Sequence, residues 1–169
     1  MGYTSPEALD RRHDLDDFDC GAPALNDWLK RHARPAQAAG SARTFVATID
    51  GTKVVGYYAL AAAQVEPDEA TTRVLKGEPQ RRAVPAVLLA WLAVDHRHQS
   101  RGLGRSLLRD AVLRSLQAAD SIGVRAMLIH AKHEQAGAWY AQYGFEPSPS
   151  DPLHLMLLMK DLRAFVDRA

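Results

Sequence analysis

Val87–Val94 is a run of eight apolar residues, VLLAWLAV, with no polar side chain to mark a solvent-facing side. A strand of that composition has to be covered on both faces, which demands a sheet with helices packed on it. The run leads directly into Asp95-His96-Arg97-His98-Gln99-Ser100-Arg101-Gly102-Leu103-Gly104. From Leu103 onward, Leu107, Leu108, Ala111, Val112, Ser115 and Ala118 make one helical stripe opposite Arg105, Arg109, Arg114 and Gln117. Strand, glycine turn and helix in that order put backbone N–H groups at the positive end of a helix dipole, where an anion can be cradled. Gly102 and Gly104 suit such a turn, because a Cβ would block close approach of phosphate oxygens and because tight turns often need φ > 0.

The rest of the pattern is compatible with one layered domain. Leu25, Trp28, Leu29, Ala33 and Ala36 predict a helix over Pro23–Ala39, kinked in its last turn by Pro35 and ended near Gly40. Thr44–Ile49 and Val54–Ala62 read as a hairpin across Asp50-Gly51. Residues 64–85 read as a loop with a short helix around Asp68–Leu75, followed by a strand at Ala126–His130, a helix at Glu134–Gln142 stopped by Gly144, and a strand at Leu153–Met159. The expected fold class is α/β (α+β), a mixed sheet with packed helices, in a single domain over residues 1–169.

Composition narrows the function classes. With 47% apolar and 24% charged residues the chain is neither disordered nor a small disulfide scaffold. A net charge of +1 excludes a general nucleic-acid coat and a polybasic membrane binder, so any such partner has to be met by a local patch. Charge is in fact uneven. Glu7, Asp10, Asp14, Asp16, Asp17 and Asp19 crowd residues 7–19, whereas Lys30, Arg31, Arg34 and Arg43 fall in a stretch without acids, and Arg73, Lys76, Arg81 and Arg82 precede the central strand. Cys20 has no partner for a bridge and no Cys/His pair has zinc spacing, so a reducing compartment, the cytoplasm, and no metal are expected. No signal pattern opens the chain, and Ala83–Val94 is too short to cross a bilayer.

Two other phosphate motifs fail. Gly104 is followed by Arg105-Ser106 where a Walker loop needs Lys-Ser/Thr, and the dinucleotide fingerprint needs a third glycine in a first βα turn. Gln99-Ser100-Arg101-Gly102-Leu103-Gly104 after Leu92-Ala93-Val94-Asp95 does fit Q/R-x-x-G-x-G/A, and in this it resembles the GNAT acyl-CoA-dependent N-acetyltransferases. Ala138-Trp139-Tyr140-Ala141-Gln142-Tyr143-Gly144-Phe145 is similar to the family's segment beside the pantetheine arm. Phe18-Asp19-Cys20-Gly21, Leu25–Leu29, Arg43–Val46, Val55–Leu60, Ile122–Ala126, His130-Ala131-Lys132 and the Pro147–Pro152 region further resemble one branch, the TacT-type toxin acetyltransferases of bacterial toxin–antitoxin pairs. Ser100 and Trp91 depart from that branch, which usually has glycine and arginine there.

The resemblance implies a central sheet splayed after the fourth strand, with helices on both faces. It also implies an acetyl-CoA donor giving coenzyme A as product. Backbone N–H groups at Leu92 and Val94 would meet the pantetheine and thioester, and Gln99, Ser100, Arg101, Gly102, Leu103, Gly104 and Arg105 the phosphates, with Arg97 placed to join them. Tyr140 would protonate the departing thiolate, while His98, His130, His133 and Glu134 are titratable neighbours with no assigned role. For a toxin of this branch the acceptor is the α-amino group of aminoacyl-tRNA, whose modification blocks translation, and Lys30, Arg31, Arg34, Arg43, Arg81 and Arg82 would meet the RNA backbone. The same branch implies a ribbon-helix-helix antitoxin, contact with DNA only through the antitoxin complex, and a homodimer. Two alternatives stand beside this: a GNAT enzyme acting on a small amine or protein N-terminus, and a non-catalytic acyl-CoA-binding module.

Overall fold

The computed structural model describes Gly2–Arg168. In chain order it holds β1 (Glu7–Ala8), α1 (Pro23–Asp27), a π-helical turn (Trp28–His32), α2 (Ala33–Ala39), β2 (Arg43–Ile49), β3 (Lys53–Val65), α3 (Thr72–Leu75) and β4 (Val84–Val94). A 3-10 turn (His96–His98) then leads to α4 (Leu103–Ala119), β5 (Ala126–His130), α5 (Glu134–Ala141), β6 (Glu146–Pro147), β7 (His154–Leu158) and α6 (Met159–Arg168). The sheet has seven strands in the order β1-β2-β3-β4-β5-β7-β6. β4 and β5 are parallel, whereas β1–β2, β2–β3, β5–β7 and β6–β7 are antiparallel, so the sheet is mixed as expected. Contacts divide the chain into two compact units, one up to Ala61 with Ala90–Ala111, the other Ala62–Leu89 with Val112 onward.

In the first unit the expected hairpin forms, with Arg43↔Leu60 through Ile49↔Lys53 in register and a bulge between Ala47 and Thr48. Asp50 and Gly51 take φ of 58° and 81°, the left-handed turn that Asp-Gly favours. Leu9, Leu15, Phe18, Leu29, Val46 and Tyr57 form the core of this unit, with Trp28 and Trp91 packed at its margin. The helix irregularity lies earlier than Pro35. Pro35 has no N–H to give the Arg31 carbonyl and its ring crowds that group, and the chain takes up the mismatch one turn upstream. There the Ala33 N–H reaches back five residues to Trp28 O, which is the π-helical turn. Gly40, at φ 78°, then ends α2.

In the second unit β4 and β5 pair from Ala86↔Ala126 to Leu89↔Ile129, and β5 and β7 from Ala126↔Leu158 to His130↔His154. Val65, Ala70, Val74, Val84, Met156 and Leu158 are buried together. The Arg125 Nε and Nη2 donate to Val74 O and Lys76 O, each at 2.6 Å, and Nε lies 3.1 Å from Glu78, so this arginine straps the segment after α3 to the start of β5. The short helix is confined to Thr72–Leu75, where the Thr71 hydroxyl caps it by accepting the Val74 N–H at 3.2 Å. Two elements are absent from the sequence reading besides the two-residue strands: the 3-10 turn and α6, whose Leu162 and Phe165 are buried. Among the described residues no helix is long and apolar enough to cross a membrane.

Candidate active site

β4 delivers the chain to Asp95, which organises everything after it. Its side chain is 1% exposed and accepts the Arg97 N–H at 2.9 Å, Arg97 Nε at 3.0 Å and Arg97 Nη2 at 2.8 Å. The Asp19 N–H adds a fourth hydrogen bond at 3.1 Å. Burial pushes the Asp95 carboxyl up, but the Arg97 guanidinium and the backbone donors outweigh it and hold the group well below the usual carboxylate range. In return the His96 N–H donates to Asp19 O at 2.8 Å and the Asp95 N–H to Val55 O at 2.9 Å. The segment before α1 is thereby stitched to the turn. Arg97, expected to meet phosphate, is instead held in a bidentate pair with Asp95 and also donates to Asp17 O.

The turn itself is anchored by Gln99, whose Nε2 donates to Val94 O at 2.9 Å and to Cys20 O at 3.4 Å. Ser100 and Gly102 both lie in the left-handed region, at φ 63° and 81°, while Gly104 is already inside α4. The Ser106 N–H bonds Gly102 O at 3.1 Å, the first rung of the helix, so the N–H groups of Leu103 and Gly104 open the helix ahead of its first intrahelical bond. No acidic residue stands in this first turn, which leaves the positive end of the dipole without a carboxylate cap. Arg101 leans toward Tyr3, with Nη1 3.4 Å from its hydroxyl. The start of α4 sits close on β3 because residue 56 is glycine: a Cβ there would come within 2.9 Å of Leu107 Cδ1 and 3.4 Å of Leu103 Cδ2. The arrangement is a nest of main-chain donors at a helix start, suited to a pyrophosphate.

Ser100 pays for its position. A non-glycine residue in the left-handed region costs about 1–2 kcal/mol, and a glycine regains most of that less about 0.4–1 kcal/mol of unfolded-chain entropy. Ser100→Gly is therefore expected to raise stability by about 0.5–1 kcal/mol, a melting-temperature gain of about 1–4 °C. Differential scanning calorimetry checks it. The other departure has a packing role: Trp91 stacks on Trp28 at 5.4 Å and 27°, and Trp28 on Tyr57 at 6.1 Å and 9°. Leu92 and Val94, the neighbours of Trp91 and Ala93 along β4, are half-buried.

In the second unit, α5 begins at His133, whose Nδ1 accepts the Ala136 N–H at 3.1 Å. The helix lies against β7, where a Cβ on Gly137 would meet Leu155 Cδ1 at an ordinary contact distance of 3.9 Å. Tyr140 is 8% exposed, its ring edge-on to Trp139 and Phe145. Burial alone pushes its phenol up, with no hydrogen bond or neighbouring charge among the causes. Of the basic residues, Lys30, Arg43, Arg81 and Arg82 are exposed. Arg31 is exposed too, 3.1 Å from Asp27. Arg34 differs: its Nη2 donates to His13 O at 2.8 Å and Asp10 O at 3.1 Å, which makes it a strap over the acidic segment. Arg73 is likewise paired with Asp161. Asp19 and Asp95 are the residues that sequence reading missed; an acid two positions before Arg97 was the available signal.

Comparison with known proteins agrees with this geometry. The acetyltransferase (GNAT) domain family matches residues 40–147. A tRNA-acetylating toxin of Mycobacterium tuberculosis is 49% identical over 165 residues, covering 98% of each chain. The solved structure of AtaT complexed with acetyl-methionyl-tRNAfMet superposes with a TM-score of 0.88 at 26% identity, covering 96% of this chain and 98% of that one. A mutant AtaT toxin bound to the C-terminus of the antitoxin AtaR and acetyl-CoA superposes with a TM-score of 0.81 at 26% identity, over 96% of both chains. A strand–turn–helix of this form and a family match over most of the chain lead to one conclusion: the chain belongs to the GNAT acetyltransferase family.

Proposed function

We propose that this chain is a toxin of a toxin–antitoxin pair that transfers the acetyl group of acetyl-CoA to the α-amino group of aminoacyl-tRNA and so blocks translation. The observation that carries this reading is near-half identity, across 98% of both chains, to a tRNA-acetylating toxin. The antitoxin and acetyl-CoA found on AtaT support the same assignment of partner and donor. In this reading all 169 residues act as one GNAT domain in the cytoplasm, as a homodimer, with an antitoxin of ribbon-helix-helix type through which any DNA contact is made.

Acetyl-CoA supplies the acetyl thioester. The main-chain donors of Leu103 and Gly104, with the side chains of Arg101 and Arg105, are the groups that would hold its phosphates, and the main chain at Leu92 and Val94 its pantetheine and carbonyl oxygen. Gln99, Ser100 and Gly102 set the turn's shape. Tyr140 would serve the departing sulfur as a phenol, since burial keeps its proton in place. Lys30, Arg31, Arg43, Arg81 and Arg82 would meet phosphates of the RNA, while Arg34 contributes through the segment it holds.

Reversal of two of these charges, Arg81→Glu with Arg82→Glu, is expected to weaken tRNA binding and to flatten the slope of log K against log salt by about 1–2 units, close to one per lost phosphate contact. An unchanged slope eliminates that patch. The function itself is tested by incubating the protein with acetyl-labelled acetyl-CoA and total charged tRNA, then digesting the RNA and identifying the labelled products. N-acetyl-aminoacyl adenosines support the reading; label only on small amines or protein N-termini supports the metabolic alternative, and no transfer at all the binding module.

A further inference from the structure

The pairing of β4 with β5 stops at Leu89↔Ile129, although β4 runs on to Val94. Beside that fork, within the second unit, lies a recess of about 220 Å³ whose lining includes Leu88 and Leu128, the last inward pair before the strands part, together with His130, His154, Ser148 and Glu69. His130 and His154 are cross-strand partners on β5 and β7, and their rings stack at 4.0 Å and 19°. α5 covers the other face of β7, where Gly137 meets Leu155. Side chains alternate along a strand, so His154 points away from that helix. Tyr140's helix and the imidazole pair therefore flank β7 from opposite sides.

We infer that this recess receives the aminoacyl end of the acceptor and that His130 is the general base that takes the proton from its amine. The inference rests on the tRNA reading above and adds to it the acceptor site and the base. A primary amine arrives most readily where negative charge rims the entrance, and Glu69 and Asp151 supply it, the latter with Oδ2 3.5 Å from His154 Nε2. Leu88 and Leu128 give the recess an apolar floor against which the aliphatic part of an aminoacyl group can lie. His130 is also suited by its protonation: lost hydration on the recess side, then the facing His154, hold its imidazole below the ordinary value of 6.5, against weaker opposing attraction from Asp151 and Glu69. It is therefore neutral at physiological pH and able to accept a proton.

The step balances as follows. The amine lone pair forms an N–C bond to the thioester carbonyl while the C=O π electrons move to oxygen. His130 takes one proton from that nitrogen. The C=O bond re-forms as the C–S bond breaks, the sulfur receives a proton from the side of Tyr140, and His130 returns its own to solvent, giving an amide and a thiol.

The test compares kcat against pH, at saturating acetyl-CoA and charged tRNA, for the intact protein, His130→Gln and His154→Gln. The intact protein should show an acid limb with its midpoint below 6.5. His130→Gln should lose that limb and about 10²-fold in kcat, with melting temperature and acetyl-CoA affinity unchanged. His154→Gln should retain an acid limb and move its midpoint toward 6.5, because a repulsive neighbour is gone. A 3′-aminoacylamino-adenosine, which carries the amine without a reactive ester, should shift the His130 ring resonances in the absence of acetyl-CoA. Retention of kcat and of the acid limb in His130→Gln, or unmoved His130 resonances, overturns the inference while tRNA acetylation by the intact protein persists. If the intact protein acetylates no charged tRNA, it is the underlying function that fails.

Discussion

Tyr140→Phe is expected to lower kcat by about 10³–10⁴-fold, toward the upper end of what a positioned proton donor contributes, and to leave acetyl-CoA affinity and stability nearly unchanged. The substitution removes a single oxygen from a ring held edge-on between Trp139 and Phe145, so the packing that fixes α5 survives. The chemistry does not. A thiolate leaving a tetrahedral centre needs a proton or a strong hydrogen bond, and a free thiol titrates near 8.5 against about 10 for a phenol. Burial raises the Tyr140 phenol further, which makes complete transfer from it uphill. In the proposed reaction its part is therefore a short hydrogen bond to the sulfur during C–S cleavage, with the proton replenished from solvent as it moves. With that upward displacement, kcat of the intact protein is expected to show no alkaline limb through pH 10. A kcat within threefold of the intact value for Tyr140→Phe, or an alkaline limb below 10, removes the role. Isothermal titration with coenzyme A separates a binding defect from a chemical one.

The parts of the fold legible in the sequence are those fixed by local pattern. Ala126–His130 has the same bounds in both, and the stripe from Leu103 to Ala118 is α4 nearly to the residue. The turn Gln99–Gly104 is readable because a tight strand-to-helix turn restricts residue type locally, as the positive φ of Gly102 shows. What stayed hidden depends on partners distant in the chain. A two-residue strand such as β1 has no periodicity and exists only because β2 is beside it. Pro35 correctly signals a broken helix, but where the strain is absorbed depends on the packing of Trp28 against Tyr57 and Trp91. Leu162 and Phe165 carry a helical spacing, but the apolar strand that runs directly into them masks where the helix starts. Arg97 is the clearest instance in the candidate site. Position beside a phosphate turn argued for a ligand contact, whereas Asp95, two residues earlier, had already taken the guanidinium. The His130–His154 stack joins residues 24 positions apart, and only the β5–β7 register brings them together.

Asp95→Asn is expected to cost about 2–3 kcal/mol, the scale of leaving buried donors without their acceptor, and hence about 4–12 °C in melting temperature for a chain of this size. The asparagine keeps one oxygen for the Arg97 N–H and Nε, but its amide nitrogen meets the Asp19 N–H and Arg97 Nη2, donors facing a donor. The penalty stays below that of a fully buried ion pair because Arg97 is half-exposed and recovers water. Two consequences distinguish this from ordinary loss of packing. The Asp95 carboxyl is held below its unfolded value, so its stabilising contribution is complete above about pH 4 and is lost as the pH falls through the lower folded value. Asp95→Asn, with no group to titrate there, should converge with the intact protein in stability as acid is added, the gap closing below about pH 4. At neutral pH the variant should also bind coenzyme A more weakly, since Asp95 joins Asp19 to the segment that leads into the helix start at Leu103 and Gly104. A stability gap that stays constant from pH 7 to pH 3 would show that the carboxylate charge is not what secures the turn.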